Sequence, residues 1–154
     1  MKKLFLVLAA VVTMGLAANA QSDAIGLRFG GGSGFGAEIS YQKGLGGNRL
    51  EVDLGLSNGS HDTYMHLTGM YHWTMNIVDK LDWYVGPGAQ VGFCSNHGLG
   101  LSIGGQLGIE YKFSFPLQVS LDVRPLYYLI APRECGVLRS NFGLDCSLGV
   151  RYCF

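Results

Sequence analysis

Charge is scarce in this chain. Lys, Arg, Asp and Glu make up 14% of its 154 residues, against roughly 25% in an ordinary soluble domain. So little charge argues against a surface that faces water on every side. Helical periodicity of useful length is also missing after the first twenty residues, which excludes a helical bundle. No apolar run reaches the roughly 20 residues that a membrane-spanning helix needs. A basic excess is absent too: with Lys2 and Lys3 set aside, nine basic side chains stand against eleven acidic ones. That balance argues against a nucleic-acid partner.

What the chain has in quantity is glycine, 24 residues, about twice the usual share of roughly 7%. Its start reads as a secretory signal peptide over residues 1–20. Met1-Lys2-Lys3 is basic, Leu4 to Ala18 is apolar, and Ala18-Asn19-Ala20 is a small-residue cleavage signature before Gln21. No Cys follows that signature, so no lipoprotein anchor is expected. Residues 21–154 then form one domain.

The stretch from Asn141 to Phe154 sets the pattern for that domain. Phe142, Leu144, Cys146, Leu148, Val150, Tyr152 and Phe154 alternate with Gly143, Asp145, Ser147, Gly149, Arg151 and Cys153. Strict alternation puts the two sets on opposite faces of a β-strand. Seven earlier segments repeat it. Ile25, Leu27 and Phe29 alternate with Gly26, Arg28 and Gly30; Ala37, Ile39 and Tyr41 with Glu38, Ser40 and Gln42. Leu50, Val52 and Leu54 alternate with Glu51 and Asp53; Leu67, Tyr71 and Trp73 with His66, Met70 and His72. Trp83, Val85 and Val91 face away from Tyr84, Gly86 and Gln90; Leu107 and Ile109 from Gln106 and Glu110; Val119 and Leu121 from Ser120 and Asp122. Turn residues separate the segments: Gly31 to Gly34, Gly44 to Gly47, Asn58 to Ser60, Ser114 to Pro116, and a loop from Ala131 to Arg139. Pro87 lacks an N–H, so a bulge or kink is expected there. The count is eight strands, an even number, each near the length that a tilted membrane strand needs.

Orientation follows from volume. The interior of an eight-stranded barrel is just wide enough to be filled by side chains. The apolar face is too bulky for that space, whereas the Gly- and Ser-rich face fits. The expected fold is therefore all-β, an eight-stranded antiparallel up-and-down transmembrane β-barrel with its apolar face on lipid. Turned the other way, it would be a soluble lipocalin-like carrier. Two aromatic girdles are expected: Tyr41, Trp73, Trp83, Tyr111, Phe113, Tyr152 and Phe154 at the end holding the amino terminus, and Phe29, Phe35, Tyr64, Phe93, Tyr127 and Phe142 at the other.

Inward charges have to pair, because an unpartnered buried charge is costly. The expected interior network is Arg28, Glu38, Glu51, Asp53, Glu110, Asp122, Arg124, Asp145 and Arg151, with Asp82 and Lys112 on the same face. Arg28 should lie near Asp145 or Arg151, since the last strand closes on the first, and Asp122 and Arg124 should face Asp145. His66 and His72 lie too far apart along a strand to share a metal, and the Gly30–Gly36 stretch has no helix behind it to hold phosphate. No cofactor, metal or catalytic residue is expected. His97 with Ser95 leaves one enzymatic alternative, a lipid-modifying nucleophile–base pair at the outer rim. Cys94 and Cys135 fall at the same end, so a disulfide between them is expected in an oxidising envelope. Cys146 and Cys153 lie on opposite faces and cannot pair with each other.

Four stretches carry a family resemblance: Gly26 to Leu56, Gly104 to Phe113, the Pro116-Leu-Gln-Val-Ser-Leu-Asp-Val-Arg-Pro125 run, and Gly149-Val-Arg-Tyr-Cys-Phe154. They resemble the small OmpX-like outer-membrane β-barrel proteins of Bacteroides-type bacteria. The resemblance implies the barrel and an outer-membrane home, in contact with lipid and lipopolysaccharide, and it implies no activity. It also implies that the aromatic end, Tyr152 and Phe154, is recognised by the barrel-assembly machinery. A monomer with a structural or interaction role is expected; the alternatives are a rim enzyme and a narrow pore.

Overall fold

The computed structural model describes residues 23–31, 35–58, 63–95, 98–131 and 141–154. The strands are β1 (Ala24–Gly30), β2 (Phe35–Leu45), β3 (Asn48–Asn58), β4 (Thr63–Val78), β5 (Leu81–Cys94), β6 (Gly98–Lys112), β7 (Leu117–Ile130) and β8 (Phe142–Cys153). Each pairs antiparallel with the next, and β1 pairs with β8, so the sheet closes into an eight-stranded barrel. Closure removes the free sheet edges on which another chain could template. Residues 1–20, where the signal peptide is expected, lie outside the described residues. So do most of the turns after β1 and β3 and the 132–140 part of the long loop.

The alternation reads directly as in and out. On β8, Phe142, Leu144, Leu148, Val150 and Tyr152 are exposed on the outer wall, while Ser147 and Arg151 are buried in the lumen. The same parity holds around the barrel, giving a continuous apolar exterior that includes Leu27, Ile39, Leu67, Trp73, Ile103 and Leu121. An exposed apolar surface of this extent is what hydrocarbon, rather than water, would cover.

The two ends differ. At one, here the turn end, lie the tight links between β2 and β3, β4 and β5, and β6 and β7, together with Asp23 and Phe154. Gly46 and Gly47 have φ of 66° and 115°, the left-handed values that a two-residue hairpin turn demands and glycine adopts without strain. The opposite end, the loop end, carries the links that fall mostly outside the described residues. At the β1–β8 seam, a Cβ on Gly26 would lie 2.0 Å from the Val150 carbonyl oxygen. Only glycine lets the closing strands approach there.

Two expectations need correction. Tyr64 is not part of an outer girdle: it is 2% exposed and points into the lumen, stacked on His66 with ring centroids 5.5 Å apart. Its parity with His66 decides this over its nearness to the strand end. Of the bulge or kink expected at Pro87, the register shows no bulge. Pairing between β4 and β5 is interrupted beside it and resumes in the same register, from Met70↔Gly88 to Trp73↔Val85, and the only irregularity in that pair lies between Asn76 and Val78. Pro87 sits on the outer face, where losing one donor costs the ladder a bond but does not shift it.

Candidate functional site

The lumen holds the only concentration of chemistry among the described residues. Its centre is built on two arginines. Arg28 on β1 reaches Glu38 on β2, Asp53 on β3 (3.2 Å from Nη1) and Asp122 on β7. Arg124 on β7 crosses the lumen to Asp53 and to Glu38 (3.4 Å), and donates twice to Gln106 Oε1 at 3.2 and 3.0 Å. Arg151 on β8 donates to Glu51 at 3.1 Å, Ser40 at 3.0 Å and Ser120 at 2.7 Å. Each guanidinium is about 1% exposed. Such groups survive burial because the planar fork presents several donors to carboxylates on different strands.

A fourth cation completes the set. Arg49 on β3 pairs with Glu110 on β6, donates to His72 Nδ1 at 3.2 Å and lies over the Tyr84 ring at 4.2 Å. Tyr84 in turn donates to Asp122 at 2.9 Å. Gln118 bridges Glu110 at 2.9 Å and Gln42 at 3.0 Å. Four arginines thus stand among five carboxylates, Glu38, Glu51, Asp53, Glu110 and Asp122, and His66 adds a bond to Glu38 at 2.9 Å. The near balance of charge is what lets so many ionised groups share one dry interior.

Every residue of the expected network faces inward. The register sets Arg124 opposite Asp145, as the alternation implied. Asp145 is half-buried and does make an interaction. For Arg28 the cross-strand neighbour on β8 is Gly149, and Arg151 stands opposite Gly26. The carboxylates that Arg28 meets are Glu38, its cross-strand partner on β2, and Asp53 and Asp122 on β3 and β7, which its long side chain reaches inside the lumen. Arg49 escaped the sequence reading, although its parity with Glu51 and Asp53 places it on their face. Tyr152 and Phe154 are exposed on the outer wall at the turn end. Cys94 is disulfide-bonded and fully buried; Cys135 lies outside the described residues. Cys146 and Cys153 are free thiols. His61 and His97 also lie outside the described residues.

Above the ionic centre, toward the loop end, the buried polar groups are mostly uncharged, among them Thr68, Gln90 and Ser102, and an apolar cluster joins them. Tyr64, Met70, Cys94, Leu126 and Tyr128 pack together there. Below it, at the turn end, the lumen opens into a cavity of about 550 Å³ bordered by Arg49, Lys112, Phe115 and Cys153. Among the described residues, no three His, Cys, Asp or Glu side chains are grouped as metal ligands.

No protein-family model matches the chain, and no curated protein matches it in sequence. Solved structures do match. The N-terminal β-barrel domain of Pseudomonas aeruginosa OprF superposes with a TM-score of 0.62 at 18% identity, over 88% of this chain and 100% of that one. Neisserial surface protein A gives 0.62 at 15% identity, over 87% and 95%. A de novo designed transmembrane β-barrel gives 0.57 at 13% identity, over 89% and 98%. The fold is that of the eight-stranded outer-membrane barrels. At these identities the likeness is one of architecture, and it leaves activity open.

Proposed function

We propose that this protein is a monomeric outer-membrane β-barrel with a filled lumen, serving a structural or interaction role in the envelope and catalysing no reaction. The observation that carries this reading is the lumen itself. Four arginines and their carboxylates tie β1, β2, β3, β6, β7 and β8 together across the interior, and an apolar cluster stacks above them. Such a filling braces the wall and blocks a continuous water path. The apolar exterior supports a lipid environment, and the OprF and Neisserial barrels support the outer membrane as its home.

Export through a signal peptide at residues 1–20, membership of the Bacteroides-type barrels and delivery by the barrel-assembly machinery through Tyr152 and Phe154 belong to the same proposal. So does contact with lipopolysaccharide along the outer leaflet. The test is refolding of the 21–154 chain into detergent. Heat-modifiable migration on a gel, with no conductance steps in planar bilayers and no acyl release from lipopolysaccharide, is the expected result. Steady ion conductance would replace the plugged barrel with the narrow pore. Acyl release would replace it with the rim enzyme.

A further inference from the structure

The ionic network of the lumen does not end in a closed floor. At the turn end it opens into the 550 Å³ cavity, within the size range of small-molecule sites. Lys112 lines it with a side chain 48% exposed; its ammonium is 2.8 Å from Asp82 and 3.4 Å from Glu110, acids that expose 11% and 0% of theirs, and Asp23, also on the lining, exposes 2%. Asp82 and Glu110 lie beneath the surface, turned toward Lys112, and the lysine is the charged side chain left half-exposed at the opening. Lys43, Lys80 and Lys112 are the only lysines after the first three residues, and all three fall at this end.

Behind Lys112 stands a second cation. Arg49 lines the same cavity and is 6% exposed. Its Nη1 holds Glu110, but its Nη2 has no hydrogen-bond acceptor. A buried guanidinium N–H without an acceptor forgoes a charge-assisted hydrogen bond that a bound anion would supply. Phe113, Phe115 and Leu117 supply apolar wall on one side. Cys153 opens into the cavity as a free thiol, 3.6 Å from Gln118 Oε1.

We propose that this cavity binds a small organic anion, a carboxylate or phosphate ester with a short apolar part. The anion docks on Lys112, with Arg49 Nη2 behind it and the carbon portion against Phe113 and Phe115. Such an anion reaches the opening either as a free solute or as the headgroup of a phospholipid lying against the turn end.

Cys153 reports on the site. In the full barrel carrying Cys146→Ser, the Cys153 thiolate attacks the sulfur of an alkyl methanethiosulfonate, a disulfide forms, and methanesulfinate leaves. Two reagents of matched size are compared, one bearing a sulfonate and one a trimethylammonium group, with modification of Cys153 read by peptide mass. The sulfonate reagent is expected to react about tenfold faster, at the low end of electrostatic focusing in clefts. Lys112→Gln should bring the ratio near one, Lys112→Arg should restore it, and raising salt should flatten it in the parent. Millimolar inorganic phosphate should protect Cys153 in the parent and not in Lys112→Gln. If Lys112→Gln does not refold, the salt series and the phosphate protection in the parent decide. In vesicles, protection by phosphate in pure phosphatidylcholine identifies a free solute as the source. Protection only when phosphatidylglycerol is included identifies the headgroup. Equal or reversed reagent preference, or protection by neither anion, overturns the proposal.

Discussion

The two halves of the lumen are filled by different means. Toward the turn end, arginines and carboxylates from at least six strands share ion pairs, so each wall residue is held by partners on other strands. Toward the loop end, rings lie on glycines: the Tyr64 ring occupies the place where a Gly92 side chain would begin, 2.3 Å from its hypothetical Cβ, and Tyr128 covers Gly143 at 3.2 Å. Tyr84, inside the ionic half, does both, covering Gly108 at 2.5 Å and bonding Asp122. The ionic half is directional and intolerant of losing a member; the loop half depends on volume and forgives a lost polar atom. Substitutions in the two halves should therefore fail by different amounts and for different reasons.

The largest effect is expected from removing one central cation. Arg124→Met leaves Asp53 and Glu38 short of a partner in a dry interior, and an uncompensated buried charge costs about 3–5 kcal/mol. Urea unfolding in micelles should show that loss, or the variant should fail to refold; a shift under about 1 kcal/mol would mean that water reaches the network freely. In the other half, the comparable brace is covalent. We expect Cys94 to be joined to Cys135, with reduction costing about 2–4 kcal/mol; a non-reduced digest lacking that cross-linked peptide would remove the pairing. Smaller again is the seam. Gly26→Ala places a methyl 2.0 Å from Val150 O and should cost about 1–3 kcal/mol as overpacking. Gly69→Ala, on the outer wall with nothing within 4 Å, is the control and should cost nothing measurable. Equal unfolding midpoints for the two alanines would show that the seam is not tight.

Much of this architecture was legible because a strand alternates with a period of two. The Phe142–Phe154 pattern assigned in and out for β8, and the volume limit of eight strands chose which set faces lipid. Position along that pattern was legible as well: Arg49 shares parity with Glu51, and Tyr64 with His66. What the pattern could not supply was partnership. An arginine side chain spans the lumen, so the partners of Arg28 depend on how the tilted strands are staggered, which follows from the ladder registers and not from any one segment. The cavity at the turn end was invisible for a related reason. It arises where the stack of inward side chains stops, and no single strand marks that level.

The finest test of the two-half comparison removes a single hydroxyl from each. The Tyr64 hydroxyl is buried beside the Gln90 amide without a hydrogen bond of normal geometry, so Tyr64→Phe deletes a poorly satisfied polar atom and leaves the ring on Gly92. Stability should be unchanged or rise slightly, because removing a poorly paired polar group relieves its desolvation. The Tyr84 hydroxyl donates to Asp122 at 2.9 Å, so Tyr84→Phe takes one of the donors from a buried carboxylate that also serves Arg28. Bonds to charged groups are worth about 1.5–3 kcal/mol, and the ion pair to Arg28 remains, so a loss near the lower figure is expected. Unfolding midpoints of the two variants, measured in the same detergent, should therefore move apart. If both phenylalanines cost the same, the Tyr64 hydroxyl has a partner after all, and the loop half of the lumen is held by directional bonds like the turn half.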